Sequence, residues 1–255
     1  VADIDDLLAE IASGPQGPSV GAFFDFDGTL IDGFSAALYF RERLTSGEVG
    51  LGELTATLVE IFNMSQRGHD VTRLVEVALG ALAGREVGEL ERQATEMFRT
   101  KIAGRVYPDA RRLVAAHLDA GHTVALASSA TRFQAADAAA DLGIENILVT
   151  EVEVIDGLLT GKVDGPILWG PGKAQAVTEF AAARGVDLAE SYAYGNGGED
   201  VLYLETVGRP RPLNPDSSLT ADAEERGWPV HRLRRVNRLT PLTIARSAAA
   251  YAGIG

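Results

Sequence analysis

Cysteine is absent from this 255-residue sequence, which excludes disulfides and thiolate chemistry and leaves the compartment undecided. Basic residues are outnumbered, 23 Lys and Arg against 36 Asp and Glu. The resulting net charge of −13 argues against binding nucleic acid or an anionic membrane through bulk electrostatics. No apolar run approaches membrane-spanning length. Residues 1–14 lack the basic, apolar and small-residue order of a secretory leader, so a soluble, cytoplasmic chain is the expectation. Internal repeats and low-complexity tracts are missing too. The four histidines, His69, His117, His122 and His231, have no metal-ligand spacing and read as surface or core residues.

Against these absences stands the run Ala22-Phe23-Phe24-Asp25-Phe26-Asp27-Gly28-Thr29-Leu30, an apolar strand-like segment that ends in two carboxylates one residue apart. Residues i and i+2 of a strand project to the same side, so Asp25 and Asp27 can converge where the strand stops at Gly28. A pair of this kind can share a cation. It can also divide phosphoryl-transfer chemistry, one acid attacking phosphorus and the other moving the proton. Taken alone, the run fits equally a strand end capped by two solvated acids.

Three further segments bear on that choice. Thr123-Val124-Ala125-Leu126-Ala127-Ser128-Ser129-Ala130 is an apolar strand ending in hydroxyls, where a phosphate oxygen can be held at a sheet's carboxyl edge. Gly170-Pro171-Gly172-Lys173 precedes an apolar-periodic stretch and sets a cation in a helix's first turn. There it opposes the helix dipole and can neutralise an anion. Ser191-Tyr192-Ala193-Tyr194-Gly195-Asn196-Gly197-Gly198-Glu199-Asp200 is a strand entering a Gly-rich loop with acids behind it. Read singly, Ser128 is a turn residue and Lys173 a surface lysine.

Together and in this order, the four segments resemble the motifs of the haloacid dehalogenase (HAD) superfamily, in its phosphoserine-phosphatase-like subfamily IB, over residues 20–235. The resemblance implies an α/β fold: a Rossmannoid parallel-sheet core with a helical C1-type cap. It implies a hydrolase of phosphoric monoesters that uses Mg²⁺. Asp25 would be the nucleophile, Asp27 the acid/base with its main-chain carbonyl facing the metal, Ser128 the phosphate-binding hydroxyl and Lys173 the phosphate-neutralising cation. Gly28, Thr29, Ser129 and Phe34 would contact substrate, and Asp25, Asp27, Asn196 and Asp200 would hold the metal. Asn196 departs from the family pattern, which carries an acid there. A neutral amide should weaken the metal site, and this keeps open a weakly active or non-catalytic regulatory domain as the rival reading.

The rest of the chain is organised around these motifs. Residues 1–19 read as an N-terminal helix, with Ile4, Leu7, Leu8 and Ile11 at helical spacing, followed by a Gly/Pro linker. Residues 20–34 and 105–235 form the expected core. Residues 35–104 carry amphipathic helical stretches at 51–62 and 71–82, broken at Gly68 and Gly84, and form the expected cap. Residues 236–255 are a tail. A hairpin is predicted at 151–163 around Ile155-Asp156-Gly157-Leu158, with late strands at 207–213 and 229–230 and a helix start at Asn214-Pro215-Asp216.

Phosphoserine phosphatases of this branch carry a Glu nine residues after the nucleophile, and this chain has Phe34. That substitution disfavours phosphoserine while allowing a cation–π contact to a choline-like group. Arg232, Arg234, Arg235 and Arg238 read as a solvated basic face, with phosphate headgroups or a partner as the alternative. Tyr192, Tyr194 and Trp169 read as packing residues. The acidic first helix, the fourth-motif variant and the tail resemble the phosphatase-like half of actinobacterial proteins fused to a lysophosphatidic acid acyltransferase. The expected partners are therefore a small or phospholipid-related phosphomonoester and a fused acyltransferase domain beyond residue 255.

Overall fold

The strand β1 (Val20–Phe24) is buried along its whole length, and alternation divides its side chains between two cores. In the computed structural model, which describes residues 3–47, 49–50, 52, 54–55, 57 and 72–234, this strand is the centre of the sheet. The other strands are β2 (Thr123–Thr131), β3 (Asn146–Thr150), β6 (Asp187–Gly195) and β7 (Arg209–Pro212), in the order β3-β2-β1-β6-β7 with every pair parallel. The α/β parallel sheet expected from the motifs is the fold observed. Parallel pairing demands crossovers, and helices supply them.

One face carries α1 (Ile4–Ser13), α5 (Pro108–Asp119) and α6 (Arg132–Leu142), which close over Ala22, Phe24, Leu126, Tyr192 and Tyr194. The other carries α7 (Pro171–Arg184), α8 (Val201–Leu204) and α9 (Ser217–Arg226) over Phe23, Ala125, Ala127 and Ala193. The predicted spacing of α1 is met: Ile4, Leu7 and Ile11 are buried, each worth about 1.5–3 kcal/mol of transfer free energy, and Asp3 caps the helix by accepting from Asp5 N–H at 3.1 Å.

Between the first two strands the chain leaves the core and returns. The two crossing segments lie side by side. Asp32 N–H donates to Arg105 O at 2.8 Å, Tyr107 N–H to Leu30 O at 3.0 Å, and Ile31 bridges Val106. Among the described residues of this insertion are α2 (Ser35–Thr45), α3 (Thr72–Gly80) and α4 (Val87–Met97), the last running into a π-helical turn over Phe98–Ile102. The expected helix at 71–82 thus corresponds to α3, whereas most of the stretch expected at 51–62, and Gly68, fall outside the described residues.

The predicted hairpin is formed by β4 (Val152–Ile155) and β5 (Leu158–Val163), with Asp156 and Gly157 both at positive φ, as a tight primed turn demands. Asp216 caps α9 by accepting from Leu219 N–H at 2.8 Å. The late strand at 229–230 is not formed: a single bridge joins His231 to Leu213, because Pro229 lacks a donor and leaves no ladder to extend. None of the described helices is long and apolar enough to cross a membrane.

Candidate active site

The site lies where β1, β2 and β6 end on one edge of the sheet. Phe24 pairs with both Leu126 and Tyr194, and Asp25 N–H donates to Tyr194 O at 2.8 Å, so Asp25 leaves the sheet beside the Gly195 turn. The same register carries Ser128 to the level of Phe26. β2 continues to Thr131, but its pairing with β3 is irregular between Ala127 and Thr131, which frees the Ser128-Ser129 backbone from a regular ladder. Ser128 is buried and its Oγ accepts from Ala130 N–H at 3.3 Å, while Ser129 is half-buried.

Lys173 reaches this edge from the first turn of α7 and is 3% exposed, so it is no surface lysine. Its Nζ donates to Asp25 Oδ1 at 2.7 Å and to Asp200 Oδ1 at 2.6 Å, and sits 5.2 Å from the ring centre of buried Tyr203. Burial opposes the ammonium's charge, but Asp200 and Asp25 outweigh it and hold the pKa above the ordinary lysine range. Burial pushes Asp25 up to about 6, with Lys173 pulling against it and Asp200 adding to it.

Asp200, expected as a metal ligand, faces elsewhere. Its Oδ1 is taken by Lys173, and its Oδ2 accepts from the N–H groups of Asn196 at 3.0 Å and Gly197 at 3.3 Å. Three donors turn this carboxylate toward the lysine and the loop, where it fixes the shape of both. Asp216 N–H completes the loop by donating to Asn196 O at 2.9 Å.

The Asn196 amide comes back across β1. Its terminal amide atom lies 2.8 Å from the Asp27 carbonyl, 3.3 Å from Asp25 Oδ2 and 3.1 Å from Thr29 Oγ1, and these acceptors assign it as Nδ2, donating to them. Gly28, at φ +78°, lies so close beneath this amide that any Cβ would collide with it, which is why the sequence needs glycine here. Thr29 is fully buried and supports the amide.

Does this set suit Mg²⁺? The described residues hold no cluster of three His, Cys, Asp or Glu side chains arranged for a metal. What they do hold is an all-oxygen arrangement. Turning the Asn196 amide over presents its Oδ1 beside Asp25 Oδ2 and the Asp27 carbonyl, the hard oxygen donors that Mg²⁺ prefers. Two buried carboxylates against one ammonium also leave excess negative charge that a cation would offset. The residues fit the ion.

The Asp27 carboxyl points away from this cluster. Its Oδ1 accepts from Ser35 N–H at 2.7 Å and its Oδ2 from Ser35 Oγ–H at 2.9 Å, so main-chain and side-chain oxygens of Asp27 serve different neighbours. Burial raises its pKa to about 7, against the pull of the Ser35 N–H. An acid held near neutrality can both give and take a proton. Phe34, next to Ser35, is 57% exposed at the start of α2.

Sequence reading missed Ser35, Tyr203 and Asp216. Only Asp216 carried a recognisable signal, the Asn-Pro-Asp turn, and that pointed to a helix cap and not to the site.

The model of the haloacid dehalogenase-like hydrolase family matches residues 22–205, which span all four motifs. The chain belongs to this family. It is 34% identical over 261 residues to phosphoserine phosphatase SerB1 of Mycobacterium tuberculosis, covering 99% of this chain and 84% of that protein. It is 30% identical over 214 residues to the histidinol-phosphatase of Neisseria meningitidis serogroup C, covering 82% and 96%. Among solved structures, a protein with unknown function from Bordetella pertussis Tohama I superposes with a TM-score of 0.76 at 31% identity, covering 83% of this chain and 98% of that one. With phosphatase-named relatives across nearly its full length, the chain is a HAD-type phosphatase.

Proposed function

We propose that this chain hydrolyses phosphomonoesters of small, organic or phospholipid-related alcohols with Mg²⁺ through a phosphoenzyme on Asp25. The observation that carries this reading is the division of the Asp25 carboxylate. Its Oδ1 lies beside Lys173 and its Oδ2 beside the Asn196 amide, which also meets the Asp27 carbonyl. Asp25, the Asp27 carbonyl and Asn196 would hold Mg²⁺, whose positive charge would let a phosphate approach these acids.

Asp25 Oδ1 attacks phosphorus and the bond to the alcohol oxygen breaks, with the proton of Asp27 passing to that oxygen. Water then gives a proton back to Asp27 and attacks phosphorus, breaking the bond to Asp25 and releasing inorganic phosphate. Lys173 holds the transferred phosphoryl group's charge, and the Ser128 hydroxyl binds one of its oxygens. The helical insertion acts as the cap that closes over this edge and excludes water.

Phe34, exposed one residue from the group that holds Asp27, supports a substrate with a flat or cationic group rather than bare phosphoserine. The name of the Neisseria relative makes histidinol phosphate, with an imidazole and an ammonium, a fitting test compound. The resemblance to acyltransferase fusions adds lysophosphatidate and phosphocholine. The second reading, a weakly active regulatory domain, is favoured by the neutral Asn196 in the metal set.

A hydrolysis screen over these esters, O-phosphoserine and para-nitrophenyl phosphate, with and without Mg²⁺, decides between them. Phosphate release that needs Mg²⁺ and vanishes in a folded Asp25→Asn protein is the expected result. Undiminished turnover by Asp25→Asn sinks the phosphoenzyme route. No turnover of any ester by the wild type favours the regulatory reading.

A further inference from the structure

Phe34 ends an extended segment, and its side chain makes no capping bond to α2, so the first N–H of that helix needs an acceptor from elsewhere. The Asp27 carboxylate provides it, taking Ser35 N–H on one oxygen and Ser35 Oγ–H on the other. Ser35 is fully buried, so this two-point clasp is shielded from water.

The direction of the hydroxyl is set by a residue on the opposite side. Gln134, in the first turn of α6, uses its Oε1 to accept from Thr131 N–H at 2.8 Å and from Thr131 Oγ–H at 3.0 Å. Its Nε2 therefore faces Ser35 Oγ, at 3.2 Å, as a donor. A hydroxyl that accepts from Gln134 has its own proton free for Asp27. The chain runs one way, from the Gln134 amide through Ser35 Oγ–H to Asp27 Oδ2. Tyr39, one turn along α2, donates to Phe133 O at 3.0 Å and fixes the same helix to the same end of α6.

We propose that Ser35, held by Gln134, is the positioning residue that orients the Asp27 carboxyl for proton transfer to the leaving oxygen, so that general-acid catalysis requires α2 to be docked on α6. This rests on the phosphatase reading of Asp25 and Asp27. Asp27 has single-bond freedom at both side-chain torsions, and without the clasp the carboxyl samples rotamers that miss the leaving group. Gln134 acts at one remove. It touches neither substrate nor Asp27, yet it decides where the Ser35 proton points.

The test uses leaving groups of graded need for a proton. For the full chain with Mg²⁺, kcat/KM is measured on 2,4-dinitrophenyl phosphate, whose phenolate departs unprotonated, and on phenyl phosphate, whose leaving oxygen needs the acid. This parameter reports steps up to phosphorylation of Asp25, so later hydrolysis does not mask the effect. Ser35→Ala should lose roughly tenfold on phenyl phosphate and less than about twofold on the dinitrophenyl ester. Gln134→Leu should show a smaller loss of the same kind, and Ser35→Thr, which keeps a hydroxyl, should retain the wild-type ratio.

Equal losses on the two esters in Ser35→Ala and Gln134→Leu overturn the proposal, because a merely structural role lowers both alike. If Ser35→Ala does not fold, the ratio in Gln134→Leu decides alone. Asp25→Asn in the same assay separates the two levels. Activity surviving there overturns the phosphatase mechanism itself, whereas Asp25-dependent activity with losses blind to the leaving group overturns only the positioning role.

Discussion

Lys173 Nζ donates to Asp25 Oδ1 at 2.7 Å inside a site where both side chains are nearly sealed from water, with Asp200 on the ammonium's other side. The lysine balances charge for the folded chain and, in the proposed reaction, for the phosphoryl group. A residue with both duties cannot be removed without cost on both counts.

Lys173→Met keeps the apolar stem over Tyr203 and removes the charge. Activity on para-nitrophenyl phosphate should fall by roughly 10²–10³, the usual size of a lost electrostatic contact to a reacting group. Stability should fall by about 3–5 kcal/mol, as when one partner of a buried pair is deleted. Without Lys173 the Asp25 pKa rises further, and a raised folded pKa means stability that is lost as pH rises. Urea melts should therefore show a larger deficit at pH 7.5 than at pH 5.5, and a deficit that is larger in acid would contradict the assigned role.

If these carboxyls hold Mg²⁺ as proposed, the ion's effect on stability should depend on pH. Burial holds Asp25 at about 6 and Asp27 at about 7, above an unfolded value of about 4. Their contribution is fully present below that unfolded value and is lost as pH rises through 6 and 7. A cation that favours the ionised forms reverses this loss. The rise in Tm on adding Mg²⁺ should be small at pH 5 and grow toward pH 8, and a rise that is flat across this range would show that the ion does not sit among these acids.

The strongest sequence signals proved to be those in which one residue type at a fixed spacing has a single geometric outcome. Asp25 and Asp27 follow a strand whose apolar run is visible in the letters, Asp156-Gly157 spells a primed turn, and Ile4, Leu7 and Ile11 mark a helix face. Contacts between distant segments were not legible. Nothing local in Ser35 or Gln134 points to a shared bond across 99 residues, and Asp200 reads as a ligand until the lysine and two loop amides are seen to occupy it.

The histidines show the same limit. His117 and His122, read as unrelated surface or core residues, form a buried relay: His122 Nε2–H donates to Pro15 O at 2.9 Å, leaving its Nδ1 to accept from His117 Nδ1–H at 2.7 Å. His117 Nε2 then accepts the Tyr194 O–H at 2.6 Å, beneath the strand that carries Asp25. Every group is satisfied only while both rings are neutral.

Burial, with His122 adding to it, holds His117 well below the usual histidine pKa. Its contribution to stability is present above an unfolded value of about 6.5 and is lost as pH falls below it. His117→Phe fills the space but leaves Tyr194 O–H and His122 Nδ1 unpaired, which should cost about 1–3 kcal/mol for each group. Because the variant no longer has this ring to protonate, its deficit against the wild type should shrink from pH 7.5 to pH 5. Chemical denaturation at the two pH values measures this, and a deficit that widens in acid would contradict the neutral relay.

Asn196 is where the chain departs from the acid expected in its family, and the structure gives that departure a cost and a remedy. Its amide atom lies 3.3 Å from Asp25 Oδ2 and 2.8 Å from the Asp27 carbonyl, so Asn196→Asp sets a second carboxylate against two oxygens. Without a cation this repulsion should lower stability by about 1–3 kcal/mol, since an N–H donor is exchanged for a charge with no partner. With Mg²⁺ the same carboxylate becomes an anionic ligand, and affinity should rise by about tenfold or more. The variant should thus be less stable than the wild type in chelator, gain more Tm from Mg²⁺, and need less of the ion for half-maximal phosphate release. Calorimetric titration beside the activity titration separates binding from turnover. If Asn196→Asp binds Mg²⁺ no more tightly than the wild type, residue 196 lies outside the metal set and the oxygen cluster around Asp25 must be reassigned.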